Sequence, residues 1–192
     1  AGFTVTKDTV AVDEVIQFTN TSANATAFVW SFGDGNSSTE TSPQKAYATS
    51  NVFVVTLSAT GSGGTELFTK NIRVLPFTSF PVVDEANAVS GVPVQFANDS
   101  KGATSYEWSF GDPGNTTSTD ENPTFTYAAG GTYTVTLKAN GAGGQGVSTK
   151  TVTVNQGADV KELFYIEYNA ALIRKLALDG SGTVSDVLDL TG

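Results

Sequence analysis

Cysteine, histidine and methionine are all missing from the 192 residues. Without cysteine there is no disulfide scaffold and no thiol nucleophile, although this alone does not fix the compartment. Without histidine as well, Ser-His and Cys-His nucleophilic systems and most zinc sites have no material. No apolar run approaches the ~18 residues that a membrane-spanning helix needs. Positive charge is scarce, ten Lys and Arg against nineteen Asp and Glu, for a net charge of −9. Those ten form no patch, and phosphate binding needs clustered cations, so nucleic acid is not an expected partner. Paired carboxylates would still permit glycoside hydrolysis. The adjacent pairs, Asp13-Glu14, Asp84-Glu85 and Asp120-Glu121, fall in turns or linkers, where acids are solvated. The glycine-rich Gly141-Ala142-Gly143-Gly144 joins strand to strand, which is not the context of a phosphate cradle. These absences argue against an enzyme.

What the chain does contain is a repeat. Trp30-Ser31-Phe32-Gly33-Asp34-Gly35 returns 78 residues later as Trp108-Ser109-Phe110-Gly111-Asp112-Pro113-Gly114. Gln17-Phe18-Thr19-Asn20-Thr21-Ser22 answers to Gln95-Phe96-Ala97-Asn98-Asp99-Ser100 at the same spacing. Ser42-Pro43 through Val54-Val55-Thr56-Leu57 answers to Asn122-Pro123 through Thr134-Val135-Thr136-Leu137 at a spacing of 80. The two extra residues belong to the loop after the Gly-Asp turn, where insertion costs least. The length independently leaves room for two small domains.

Each repeat reads as short strands between turn residues. Phe3-Thr4-Val5-Thr6, Val15 to Asn20, Val52 to Ala59 and Glu66 to Val74 carry β-branched and aromatic residues bounded by polar or glycine clusters. In Ala27 to Phe32, alternation puts Phe28, Trp30 and Phe32 on one face, taken as the core face. Gly33-Asp34-Gly35-Asn36 supplies the positive-φ positions and Asx bonds of a tight turn. With no helical periodicity and about seven strands per repeat, the fold class is all-β: two tandem immunoglobulin-like β-sandwiches. The expected division is a first sandwich over residues 1–75, a Pro-containing linker over 76–81, a second sandwich over 82–155 and a three-strand segment over 156–192. The linker holds two prolines and two aromatics and is expected to be semi-rigid, giving a rod of two beads. The first residues read as a strand rather than a signal peptide, and the start without methionine reads as a chain whose targeting segment has been removed.

The Trp-Ser-Phe-Gly-Asp block, followed by Ser42-Pro43 and Tyr47 in one copy and by Asn122-Pro123 and Tyr127 to Leu137 in the other, resembles the polycystic-kidney-disease (PKD) domain. The commonest form of that motif has Asp after the Trp, where Ser31 and Ser109 stand here. The resemblance covers about four fifths of the chain. It implies a β-sandwich of cell-surface proteins and secreted multi-domain enzymes, serving as a spacer or as a protein- or carbohydrate-contacting module. The tail is similar to one blade of a YWTD-type β-propeller, with Leu163-Phe164-Tyr165-Ile166-Glu167 in the place of that motif and Ile173-Arg174 through Leu178-Asp179-Gly180-Ser181 in its later half. A propeller needs ~4–8 blades, and three strands alone cannot close a core. The tail is therefore expected to continue into a longer protein or to pack on another surface.

Candidate residues follow from the repeat. Trp30 and Trp108, with Phe32 and Phe110, read as buried anchors rather than sugar platforms. Gly33, Asp34, Gly111 and Asp112 are the turn residues of the motif, and Tyr47 and Tyr127 its tyrosines. Calcium is the one candidate cofactor, with Asp112, Asp120 and Glu121 as the richer oxygen set; turn capping accounts for Asp34 and competes for Asp112. Sequons at Asn20, Asn24, Asn36, Asn98 and Asn115 are glycosylation candidates. The function expected is a non-catalytic extracellular or cell-surface spacer and scaffold, lipid-anchored or in a surface layer, with other surface proteins or glycans as partners. The alternatives are an accessory carbohydrate-binding region of a secreted polysaccharide-degrading enzyme, and a polymerising subunit that self-associates through the C-terminal segment.

Overall fold

The computed structural model describes residues 1–157 and, as backbone strands, 162–167, 172–177 and 184–189. It falls into two compact units, Ala1–Asn155 and Gln156–Gly192.

The first unit holds two β-sandwiches. In the first run β1 (Phe3–Val5), β2 (Thr9–Ala11), β3 (Ile16–Asn20), β4 (Ala27–Ser31), β5 (Ser37–Ser38), β6 (Gln44–Lys45), β7 (Asn51–Gly61) and β8 (Gly64–Leu75). They form a sheet in the order β1-β3-β6 facing one in the order β2-β8-β7-β4-β5. Nearly all pairings are antiparallel, but β2 lies parallel to β8, with Thr9 opposite Arg73. The second has β9 (Val82–Val83), a 3-10 turn over Glu85–Asn87, β10 (Pro93–Phe96), β11 (Ser105–Ser109), β12 (Thr117–Ser118), β13 (Thr124–Thr126), β14 (Gly131–Gly141) and β15 (Gly144–Val154). Its sheets run β13-β10-β9 and β12-β11-β14-β15. The counterpart of parallel β2 shrinks to a single parallel bridge between Val89 and Asn155.

Long two-stranded hairpins form the backbone of each sandwich. β7 and β8 pair without a break from Asn51↔Val74 to Gly61↔Gly64, as β14 and β15 do from Gly131↔Val154 to Gly141↔Gly144. Period-2 alternation buries Phe53, Val55, Leu57 and Ala59 on the core face of β7, and Val135, Leu137 and Ala139 on that of β14. Each core is aromatic. Trp30 meets Phe3 at 5.0 Å and Phe18 at 5.7 Å, while Trp108 meets Phe80 at 5.1 Å and Phe96 at 5.8 Å. Both indoles are fully buried, and each N–H donates to a loop carbonyl, of Glu40 and of Asp120, at 2.9 Å.

Residues 76–81, read from the sequence as a linker, are built into the second sandwich. Phe77 and Lys101 exchange backbone hydrogen bonds, Asp99 donates to Ser79 and Ala97 to Pro81. Phe80 lies in the second core, where it does for Trp108 what Phe3 does for Trp30. The proline and aromatic composition signals stiffness locally, whereas pairing with residues 97–101 is non-local and has no signature in the segment.

The second unit contains β16 (Glu162–Glu167), β17 (Leu172–Ala177) and β18 (Val184–Asp189), an antiparallel meander in that order. The β17–β18 register shifts between Ile173 and Arg174. The turn expected at 179–182 lies outside the described residues.

Candidate functional site

After β4 and β11 the chain turns tightly against β7 and β14, beside the sandwich tyrosine that follows β6 or β13. Gly33 (φ 79°) and Gly111 (φ 71°) are required there twice over. A side chain would be strained at that φ, and a Cβ would lie 2.8 Å from the Val54 carbonyl oxygen or 2.4 Å from that of Thr134. The turn aims Asp34 and Asp112 toward Tyr47 and Tyr127, which are buried and donate their hydroxyls to the carbonyls of Phe32 and Phe110 at 3.0 Å. Burial, and then the negative charge of Asp34 or Asp112, pushes both phenols well above the usual tyrosine range.

The two corners differ in what satisfies the aspartate. Asp34 Oδ2 accepts from Lys45 Nζ at 2.7 Å and from the Asn36 amide at 2.9 Å, and Oδ1 accepts from the Asn36 backbone at 3.0 Å. The Lys45 ammonium also stands 5.8 Å over the Phe32 ring and 5.4 Å over that of Tyr47, a cation held between a carboxylate and two π faces. In the second sandwich the residue two after the turn proline is Phe125, and it lies opposite Val94 as Lys45 lies opposite Ile16. The Phe125 ring stacks flat on Phe110 at 4.3 Å. Asp112 has no lysine and accepts instead from Thr116 N and Oγ1, both at 2.8 Å, and from Gly114 N at 3.1 Å. Burial raises each carboxyl, yet these hydrogen bonds prevail and hold both below the ordinary carboxylate range. A cleft of about 460 Å³ opens beside Asp112, lined by Thr116, Phe125, Tyr127, Ala129 and Tyr133.

The calcium set expected at Asp112, Asp120 and Glu121 is not assembled. Among the described residues no three acidic side chains gather where an ion could sit. Asp112 caps its own turn, and Asp120 accepts from Ser118 Oγ at 3.1 Å while its carbonyl holds the Trp108 indole. Of the sequon asparagines, Asn24, Asn36 and Asn115 are exposed. Asn20 and Asn98 are half-buried, and their amide oxygens accept from Ser22 N and Ser100 N.

A second feature had no sequence reading at all. The β14–β15 hairpin and the loop before β11 fasten the second sandwich to the first. Gly143 N donates to Ser50 Oγ at 3.0 Å, and Ser50 Oγ donates to the Val74 carbonyl at 2.8 Å. Ser50 is the one buried polar side chain among the described residues. Gly102 sits against Val12, so that a Cβ there would fall 2.7 Å from Val12 Cγ2, and Lys101 pairs with Asp13 at 2.9 Å. The signal available was a departure from the repeat, since Ser50 stands where the second copy has Gly130, and Lys101-Gly102 where the first has Ala23-Asn24.

This arrangement defines a tandem of immunoglobulin-like β-sandwiches with buried aromatic anchors and capped turns. The PKD-domain family model matches residues 3–75 and again 81–156, so the chain belongs to the PKD-domain family. Among solved structures it is similar to the PKD1 domain of Vibrio anguillarum Epp, at 26% identity over 43% of this chain and 96% of that one, TM-score 0.36. It is also similar to the PKD1 domain of the Vibrio cholerae metalloprotease PrtV, at 30% identity over 42% and 98%, TM-score 0.36. The amphioxus IgVJ-C2 molecule matches at 9% identity over 76% and 99%, TM-score 0.34. The family match ends at residue 156, and the likeness of the tail to a propeller blade gains no support from it.

Proposed function

We propose that this chain is a non-catalytic module of an extracellular or cell-surface protein, which sets the distance and orientation of an interaction partner. The observation that carries the reading is the joint. A spacer of two freely swivelling beads would hold no fixed direction, whereas the bond from Gly143 to Ser50 and the seating of Gly102 on Val12 tie one sandwich to the next. Membership of the PKD-domain family supports it, since such domains typically accompany other domains without catalysing reactions. The carbohydrate-binding alternative called for a row of exposed aromatics. Both tryptophans are buried, and the large aromatics that stand out among the described residues are Phe68 and Phe77. The test exploits the absence of cysteine: spin labels at Thr69→Cys and Thr149→Cys, both exposed, report the distance between sandwiches without interference. A narrow distance distribution is expected. A broad one, that of two beads on a string, would overturn the reading.

Self-association is a second reading, favoured by the meander in the second unit, whose edge strands β16 and β18 each have one partner among the described residues. Light scattering should then rise with concentration and lose that dependence when residues 157–192 are deleted. Monomeric behaviour of the whole chain would remove this reading.

A further inference from the structure

The first sandwich shows what its Asp-Tyr corner binds, because it has bound its own lysine. Asp34, Phe32 and Tyr47 surround the Lys45 ammonium, which is only 18% exposed, with its partner carboxylate at 17%. The second sandwich repeats the carboxylate and both rings as Asp112, Phe110 and Tyr127 but replaces the cation with Phe125. It also replaces Phe53 with Tyr133, which stacks on Tyr127 at 4.1 Å and donates its hydroxyl to the Ala129 carbonyl at 2.8 Å, fixing a second phenol in the wall. The result keeps the carboxylate and withdraws the internal cation; Phe125 covers Phe110, and Phe125, Tyr127 and Tyr133 line about 460 Å³ of open cleft beside the acid.

We propose that this cleft binds a primary alkylammonium group, presented as the side chain of an exposed lysine on a partner protein. The inference rests on the reading of the chain as an interaction module and names the partner chemistry. Three features select the ligand. Asp112 is held by neutral donors of its own turn, and among the described residues no lysine or arginine pairs with it as Lys45 pairs with Asp34, so its charge is left for a cationic N–H donor. The rings of Phe125 and Tyr133 in the cleft wall suit a cation on an apolar stem, the shape of lysine, with the ammonium within about 6 Å of a ring centroid. A net charge of −9 draws cationic partners toward the chain and repels acidic ones. A neutral sugar would use the rings but would leave the ionised carboxylate without its countercharge.

The probe is Nα-acetyl-lysine methylamide, titrated into the isotope-labelled full chain and followed by NMR, with the Nε-acetylated form as the uncharged control. The expected result is saturable shifts at the amides of Thr126, Ala128 and Ala129 with roughly millimolar affinity, and none with the control. Asp112→Asn weakens binding by about tenfold or more, the loss of one charge-assisted hydrogen bond. Phe125→Lys, which installs the residue of the sister sandwich, abolishes it by filling the corner from within. Lys45→Phe opens the first corner and creates a second set of shifts around Tyr47. Equal shifts with the uncharged control, an unchanged titration of Phe125→Lys, or no shift near Tyr127 would each overturn the proposal. Failure here with a narrow inter-sandwich distance would remove the ligand and leave the spacer standing; a broad distance with intact lysine binding would do the reverse.

Discussion

Replacing Gly143 with alanine should unlock the joint without unfolding either sandwich. A Cβ at this position would lie 1.8 Å from the Val74 carbonyl oxygen, 2.8 Å from its carbon and 2.9 Å from the Asn51 oxygen, where ordinary contact begins near 3.4 Å. All three obstacles are backbone of the other sandwich, so no rotamer change relieves them. Within its own hairpin Gly143 has no positive φ, and alanine is tolerated there. What holds the joint closed is modest. One buried hydrogen bond to Ser50 contributes about 1 kcal/mol net. The Lys101–Asp13 pair, with both side chains more than half exposed, adds about 0.5 kcal/mol. Together these polar terms favour the docked state by roughly tenfold, before any packing of Gly102 against Val12 is counted. A methyl overlapping a carbonyl oxygen by more than 1 Å exceeds that, and the docked state should be lost. With labels at Thr69→Cys and Thr149→Cys, the distance distribution should broaden. The control is Gly63→Ala, the matching hairpin position in the first sandwich, where a Cβ meets nothing within 4 Å; the distribution should stay as in the parent. Gly143→Ala with an unbroadened distance would refute the reasoning.

Tyr47→Phe removes a buried hydroxyl that satisfies the Phe32 carbonyl and should destabilise the first sandwich by about 1–2 kcal/mol, read as a lower urea midpoint. Both tyrosines have folded pKa values raised above the unfolded value of about 10, so their contribution is complete below that pH and is lost as pH rises past it. Stability should fall by up to about 1.4 kcal/mol per pH unit per tyrosine above pH 10, and the Tyr47→Phe, Tyr127→Phe double variant should lose that steepness. For Asp34 the folded pKa is depressed. Its contribution is present above the unfolded value of about 3.9 and is lost as pH falls through the lower folded one, so acid unfolding monitored by tryptophan fluorescence should begin at higher pH in Lys45→Ala.

Much of the fold was legible because it is local and written twice. The Phe28-Trp30-Phe32 alternation places Trp30 and Phe32 in the core with Phe28 packed against it, and the Gly61 to Gly64 cluster marks the reversal of β7 into β8. Burial of Trp30 and Trp108 follows from the same alternation. What was not legible depends on residues far apart. Nothing in Phe77-Thr78-Ser79-Phe80 announces pairing with residues 97–101, and nothing near Ser50 announces Gly143, 93 positions away. Calcium was read from the proximity of Asp112, Asp120 and Glu121 in sequence. The chain instead spends Asp112 on the hydroxyl and amides of its own turn, the commoner fate of an acid beside glycine, and Asp120 on the Ser118 hydroxyl.

The informative positions are those where the two copies disagree, because each sandwich is a control for the other. Asp13 is such a position. It answers to Gly91, and both donate their backbone N–H to the tyrosine carbonyl of their own sandwich with positive φ, 67° and 79°. Glycine is the natural occupant of that conformation and aspartate is there at a cost in backbone strain. The first sandwich gains nothing evident from the carboxylate, but the joint does, since it pairs with Lys101 of the second. Asp13→Gly should therefore leave the urea midpoint of the chain within about 0.5 kcal/mol of the parent, as for an ordinary surface change, while broadening the distance between labels at positions 69 and 149. A fall in stability beyond about 1 kcal/mol with an unchanged distance would mean that Asp13 serves its own sandwich, and that its pairing with Lys101 contributes nothing to holding the two together.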